Sequence, residues 1–425
     1  MKYESSDRVT YIKPETVPDQ LPSSIKEILN LGLTAVKQKD WLQVINSLRL
    51  LPQTKTDDQV KLLVLNWKNW QVAFDLAVTM LIQADFQHKW EITKFLPLFG
   101  ENIIPPLTTL VKDENVEAEV RWFICQILGQ FKSETVVLTL VELLQQTSDE
   151  ELIVMAGKTL SRIGNSAIDA LVKLLAQPEY RFLAVQSLSY IRTSETIEPL
   201  LKVATAPESE LRSIAIRALG SFHDPRVPPI LIAALQDTSS NVRKEAAIAL
   251  GFRPDLCHDL NLITHLQPLL YDLNLEVCRQ AAVSLGRMKQ KAATTALFAA
   301  LQADPTPVSL KLDLVKALGW SEISLAIDYL EQKLVNSSEL VTQEIITVLG
   351  RINSQKLKHQ ATQVLINFWQ DKNHQVFPPQ IRQAIATSLG ELGCQCAQQT
   401  LAQLAQDEDR KVQLHALSAL KKLPC

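Results

Sequence analysis

The sequence predicts an all-α solenoid, a stack of paired antiparallel helices preceded by an atypical N-terminal helical cap. Three observations predict it. A leucine stands eight residues after an apolar or tyrosine start in ten segments, at 128, 160, 188, 219, 250, 285, 318, 349, 389 and 420. These leucines are 28 to 40 residues apart, about 32 on average, which is the length of two short helices with their turns. A second series, Leu107, Leu140, Leu171, Leu200, Leu231, Leu266, Leu297, Leu330, Leu365 and Leu401, precedes the first by 17 to 24 residues. Around both series apolar residues return at three- and four-residue spacing, and no sustained alternation marks a strand.

Residues 1–22 are polar, hold Pro14, Pro18 and Pro22, and read as an extended arm. Ser23 is a candidate N-cap, and residues 23–112 read as a helical cap outside the repeat register. This cap carries Trp41, Trp67, Trp70 and Trp90 with Phe74, Phe86, Phe95 and Phe99. Such residues form either a bulkier core or an exposed partner surface.

Residues 113–425 read as about ten helix pairs. In seven of the ten second helices the residue after the leucine is glycine, at 129, 220, 251, 286, 319, 350 and 390, read as helix ends of positive φ. Ala156, Ala184, Ala215, Ala246, Ala281 and Ala416 mark points of close helix approach. Two repeats are longer, with loops at Phe252 to Asn261 and Gln370 to Pro379. One pair cannot bury both of its apolar stripes, so the pairs stack around a continuous core instead of forming the two or three domains that 425 residues suggest.

Composition excludes several classes. The chain is 46% hydrophobic, with 43 Lys plus Arg against 46 Asp plus Glu and a net charge of −3. Disorder is excluded and nucleic acid is not an expected partner. No apolar run suits a membrane span, and the start from Met1 to Arg8 lacks a secretory signal, so a cytoplasmic location is expected. Six cysteines, at 125, 257, 278, 394, 396 and 425, are scattered, and Cys394 and Cys396 do not match zinc spacing. Neither a metal nor another cofactor is expected. HExxH, GxSxG and GxGxxG are absent, and Gly157-Lys158-Thr159 lacks the upstream glycine of a phosphate loop, which favours a non-enzymatic role.

The segment Asn241-Val-Arg-Lys-Glu-Ala-Ala-Ile-Ala-Leu-Gly251, following an Asp turn, resembles HEAT repeats of the short type shared with phycobilin lyases. The resemblance covers residues 100 to 425 and implies that the second helices line a concave binding face. The residue after the first apolar one in each second helix reads Arg121, Ile153, Arg181, Arg212, Arg243, Cys278, Lys311, Thr342, Arg382 and Gln413. Six of ten are basic, which allows two readings. One is a binding stripe for an anionic partner such as an acidic protein surface, a phosphate or a bilin propionate. The other is the internal ladder that the resemblance implies, pairing each basic residue with an Asp in the preceding turn. Asp237 with Arg243 and Asn115 with Arg121 have the six-residue spacing for it. Asp272 and Asp407 stand opposite Cys278 and Gln413, and Arg181, Arg212, Lys311 and Arg382 lack a matching turn residue.

Val120-Arg-Trp-Phe-Ile-Cys-Gln-Ile-Leu-Gly-Gln-Phe-Lys132 is similar to a pattern in the E-type subunits of phycobilin lyases, although its centre, Ile124 to Ile127, departs from it. That similarity implies Arg121 on a propionate and Trp122 stacked on an open-chain tetrapyrrole. A first-repeat helix packing its aromatics on the cap is the plainer reading. Two functions follow from the resemblance. The favoured one is a protein-binding scaffold, or an assembly or chaperone factor linked to phycobiliproteins, with a hetero-oligomer with a second HEAT-repeat protein as one assembly. The alternative is a bilin lyase or lyase subunit, in which the thiol nucleophile belongs to the substrate.

Overall fold

Leucine and alanine at helical spacing, with Asp, Asn, Pro and Ser between the runs, leave helices as the only economical way to satisfy the backbone. A computed structural model describes residues 23–51, 67–371 and 377–423, all in helices, turns and bends with no strand. The predicted arm 1–22 lies outside the described residues, as does 372–376 of the predicted Gln370 to Pro379 loop. The chain divides into two compact units, Met1–Pro199 and Leu200–Cys425.

The first unit contains α1 (Ser23–Gln38), α2 (Trp41–Arg49), α3 (Trp67–Gln83), α4 (Phe86–Phe95), α5 (Ile104–Lys112), α6 (Ala118–Leu128), α7 (Glu134–Gln146), α8 (Glu150–Ile163), α9 (Ile168–Leu174) and α10 (Arg181–Tyr190). Asp40, Asp85 and Asp149 cap α2, α4 and α8, each carboxylate accepting the backbone N–H three residues on at 3.0 Å. The second helices α6, α8 and α10 pack side by side, with α4 against α6. Of the eight cap aromatics, the side chains of Trp67 and Trp70 lie outside the described residues, and only part of the rest is core. Trp41 and Phe74 are buried, and Phe99 meets Phe74 and Phe95 edge to face at 6.1 and 5.6 Å. Phe86 is exposed and Trp90 half-buried.

The boundary falls inside α11 (Ile197–Val203). The second unit continues with α12 (Ser209–Leu219), α13 (Val227–Ala234), α14 (Ser240–Gly251), α15 (Leu262–Leu266), α16 (Leu275–Arg287), α17 (Lys291–Gln302), α18 (Val308–Trp320), α19 (Ser324–Leu334), α20 (Glu339–Gly350), α21 (Gln355–Asp371), α22 (Pro379–Leu392), α23 (Gln398–Leu404) and α24 (Arg410–Leu420). Its even-numbered helices from α12 to α24 are the second members of the pairs, each packed on the next. The loop predicted from Phe252 holds a short 3₁₀ turn, Pro254–Leu256, before α15.

Both leucine series form the core. All ten first-series leucines except Leu420, and all ten of the second, are buried. Each contributes about 1.5–3 kcal/mol by leaving water. The reading of the repeat glycines needs correction. Only Gly100, Gly164 and Gly393 have positive φ among the described glycines, and none is a repeat glycine. The repeat glycines instead sit where the next second helix comes closest. A methyl on Gly286 would stand 2.6 Å from the Ala317 carbonyl oxygen, and one on Gly350 would stand 2.7 Å from the Ser388 Cα. The missing side chain allows contact between neighbouring helices.

Candidate partner-binding face

The basic series lies mainly inside the fold. Arg121 is 8% exposed and donates Nε to the Val111 carbonyl at 2.8 Å. Arg181 donates Nε to the Leu175 carbonyl at 3.1 Å. Arg212 holds the Asp237 carboxylate with two bonds of 2.7 Å, and Arg243 holds Asp272 with bonds of 2.7 and 2.8 Å. Arg382 brings Nε to 2.8 Å from one Asp407 oxygen and donates Nη2 to the other at 3.0 Å. Lys311 is half-buried and forms no ion pair among the described residues.

A ladder therefore exists, but in a register other than the six-residue one. The Asp237 carboxylate belongs to Arg212, and Arg243 meets Asp237 only through its carbonyl, at 2.7 Å. Arg212 and Arg382, expected to lack a turn partner, find theirs in the turn of the following repeat, 25 residues on. Each of these aspartates also accepts a backbone N–H two residues on, from Ser239, Asn274 and Asp409. Arg212 holds the Asp237 carboxyl, and Arg243 that of Asp272, below the usual carboxylate range, mainly by side-chain hydrogen bonding. Cys278 and Gln413 complete the pattern, donating to the carbonyls of Asp272 and Asp407, six residues back, at 3.1 and 2.7 Å. The position supplies a donor for carbonyls left open beyond the first helix.

The next residue along turns outward. Trp122, Val154 and Phe182 follow Arg121, Ile153 and Arg181 on α6, α8 and α10, and all three reach the surface. With Trp90 of α4 the first two line a groove of about 560 Å³ floored by Met155. Lys158 and Arg162, one and two turns beyond Val154, edge it on one side. Glu150 and Glu151 edge it at the start of α8, where a helix N-terminus favours acids as its C-terminus favours cations. Trp122 packs edge to face on Phe123 at 5.1 Å, and Phe123 meets Phe86 at 5.3 Å. The Lys89–Glu119 ion pair ties α4 to α6 behind these rings. The wall is preformed and amphipathic, and suits an apolar ridge with acidic groups on one flank.

Of the predicted site residues, Trp122 alone lines this groove. Trp90 was named only among the cap aromatics that form either core or an exposed partner surface, and Val154, Lys158, Arg162 and Phe182 were not singled out, because the series followed along the second helices was the basic position. Reading one residue further on, and then in steps of four, would have found most of them.

Burial pushes the Cys125 thiol up to about 12 and raises those of Cys257 and Cys278. Among the described residues no three His, Cys, Asp or Glu side chains gather as metal ligands, and no helix is long and apolar enough to cross a membrane.

Three overlapping segments, 104–189, 168–251 and 197–283, match HEAT repeats. Together the matched segments span residues 104–283. The match is to HEAT repeats at large, without a subtype. No curated protein matches the chain. Importin beta, solved in an ammonium sulfate condition, is similar over 93% of this chain at 14% identity and a TM-score of 0.50. The chain spans 60% of its length, and the likeness shows the α-solenoid fold. Human deoxyhypusine hydroxylase in complex with glycerol is 22% identical over 60% of this chain and 95% of its own, with a TM-score of 0.26.

Proposed function

We propose that the protein is a non-enzymatic binding scaffold, and that the second-helix face of the first unit holds an amphipathic segment of a partner protein with an acidic flank. The carrying observation is the groove, in which Trp90, Trp122 and Val154 stay accessible beside Lys158 and Arg162. Aromatic anchors beside cations are the surface that a partner segment desolvates most productively. The buried thiols accord with a reducing compartment, and the cytoplasm is the location proposed.

A photo-crosslinking residue at Val154 tests the reading in the native source. One protein should be captured, and Trp122→Ala or Lys158→Glu with Arg162→Glu should abolish the adduct while leaving the helical CD signal unchanged. Capture that survives both changes sinks the proposal. The alternative, a bilin lyase subunit, keeps Trp122 as a stacking platform but must replace Arg121 by Lys158 or Arg162 as the propionate partner. It requires a covalent, visibly absorbing adduct when the protein is mixed with phycocyanobilin and an apo-phycobiliprotein.

A further inference from the structure

The second unit carries another outward row, at the C-terminal ends of α14, α16, α18 and α20. Each of these helices reaches its Leu-Gly pair and then presents one residue, in turn Phe252, Arg287, Trp320 and Arg351. All four are exposed, Phe252 by 62% and Trp320 by 50%. The guanidinium of Arg287 lies 4.4 Å from the centre of the Phe252 ring, and neither Arg287 nor Arg351 has an acidic partner among the described residues. A helix C-terminus favours the arginines, yet it gives no reason to expose a phenylalanine and a tryptophan between them.

The glycines hold the row together. Gly251, Gly286 and Gly319 each precede a member, and a methyl at any of them would meet the next helix, 2.3 Å from Ser284 Oγ, 2.6 Å from the Ala317 carbonyl oxygen and 2.2 Å from Val348 Cγ1. One turn back, Ile248, Val283, Lys316 and Thr347 are half-buried and form the floor.

We propose that this aromatic–arginine row binds an extended acidic peptide segment of a partner protein, at a site separate from the groove of the first unit. Neighbouring helices are about 8–10 Å apart and an extended chain advances about 3.3 Å per residue, so each repeat spans about three residues. Arg287 and Arg351, two repeats apart, then take carboxylates about six residues apart, while side chains between and beside them lie on Trp320 and Phe252. The border of the row has mixed sign. The Arg253–Asp255 and Lys289–Glu322 ion pairs run beside it and the exposed Glu391 follows it. A nucleic-acid strand would bring a phosphate past each of those acids, whereas a peptide places its charges only where the arginines are.

The test uses the full chain and a fluorescein-labelled peptide of about twelve residues, with glutamates six apart and leucine or tyrosine between, read by anisotropy at low salt. Its glutamine counterpart and an oligothymidylate of equal length are the comparison probes. Arg287→Glu with Arg351→Glu should weaken the acidic peptide by at least about tenfold, and Trp320→Ala by about three- to tenfold. The glutamine peptide should bind about tenfold more weakly than the acidic one. The arginine variants are also measured in a Lys158→Glu, Arg162→Glu background, which removes the cationic edge of the other groove, and their effects should persist there, so failure here is distinguishable from failure of the scaffold reading. Should the double glutamate variant lose its helical CD signal, Arg287→Gln with Arg351→Gln replaces it. Equal binding of the glutamine peptide, unchanged binding by the arginine variants, no binding, or tighter binding of the oligonucleotide would each overturn the proposal.

Discussion

Replacing Gly286 with alanine tests whether the repeat glycines serve close helix approach. The added methyl would stand 2.6 Å from the Ala317 carbonyl oxygen and 3.2 Å from the Ala317 Cα. Comfortable carbon contact begins near about 3.5 Å, so α16 and α18 must part by roughly 0.9 Å along this line. The obstacle is backbone and cannot rotate away. Alanine gains about 1 kcal/mol of helix propensity, and overpacking against an unyielding neighbour costs about 3 kcal/mol. The net loss is about 2 kcal/mol, or about 4–8 °C in the melting of a unit this size. Gly220→Ala meets a different obstacle, the Ala249 Cβ at 2.6 Å. Ala249→Gly should therefore rescue Gly220→Ala, whereas Ala317→Gly leaves the offending carbonyl in place and should not rescue Gly286→Ala. Urea titrations of the single and double variants by far-UV CD give both coupling energies, provided the denaturant slopes are unchanged. A Gly286→Ala protein as stable as its parent, or equal rescue in both pairs, would refute close approach as the role of these glycines.

Other perturbations have defined outcomes. The lowered carboxyls of Asp237 and Asp272 contribute stability that is complete above the unfolded carboxylate range, near pH 4, and lost as pH falls through their folded values. Acid titration of Asp272→Asn should show a smaller loss below pH 4 than the parent, after an initial cost of about 1–2 kcal/mol at neutral pH. Burial raises the Asp75 carboxyl despite a 3.0 Å bond from Gln71 Nε2, so the folded state holds the extra proton and stability falls as pH rises from the ordinary carboxylate range. Asp75→Asn should thus stabilise the first unit at pH 7 and change little at pH 3, as read by amide exchange in α3. With its thiol pushed up to about 12, Cys125 should resist iodoacetamide at pH 8 in the folded protein and react once urea unfolds it. Arg382→Met should cost about 3 kcal/mol by leaving Asp407 unpaired, with no effect on capture at Val154.

The legible part of the fold was the part written in periodicity. Leu250 and Leu231 lie 19 residues apart because they belong to the two packed helices of one pair, and burial of both is what a period can express. The φ of Gly286 is not written that way. A glycine after a helix leucine suits a left-handed cap and a tight crossing equally well, and only the position of Ala317 on the next helix separates them. The ladder was hidden for a similar reason. Asp237 stands six residues before Arg243 in sequence, but its carboxylate faces back to Arg212, because stacking brings the turn of one repeat beside the second helix of the previous one. Trp122 was found through its aromatic bulk. Lys158 and Arg162 carried no such mark, since a lysine inside a helix and an arginine in its last turn are both common, and their value comes from Trp90 and Trp122, which line the same groove.

On the proposed reading, adjacent residues of the second helix divide stability from recognition. A step of one residue rotates a side chain by about 100° around the helix axis. At the first step, Arg212, Arg243 and Arg382 reach two consecutive turns, where each carries backbone carbonyls of its own repeat and a carboxylate of the next. At the second step, Trp122, Val154 and Phe182 face solvent, and residues four and eight further on share that stripe. A change at Arg212, Arg243 or Arg382 is felt by two repeats through these hydrogen bonds, whereas Cys278 and Gln413 keep only the carbonyl bond of their own turn and Ile153 shows that a repeat can do without a donor there. A change at the second step meets only solvent and partner. The outward stripe can accordingly be aromatic and cationic on α6 and α8, or alternate aromatic and arginine at the ends of α14 to α20, while the ladder beneath stays intact. Binding specificity in such a stack is free to differ from one repeat to the next without altering the contacts that hold the repeats together.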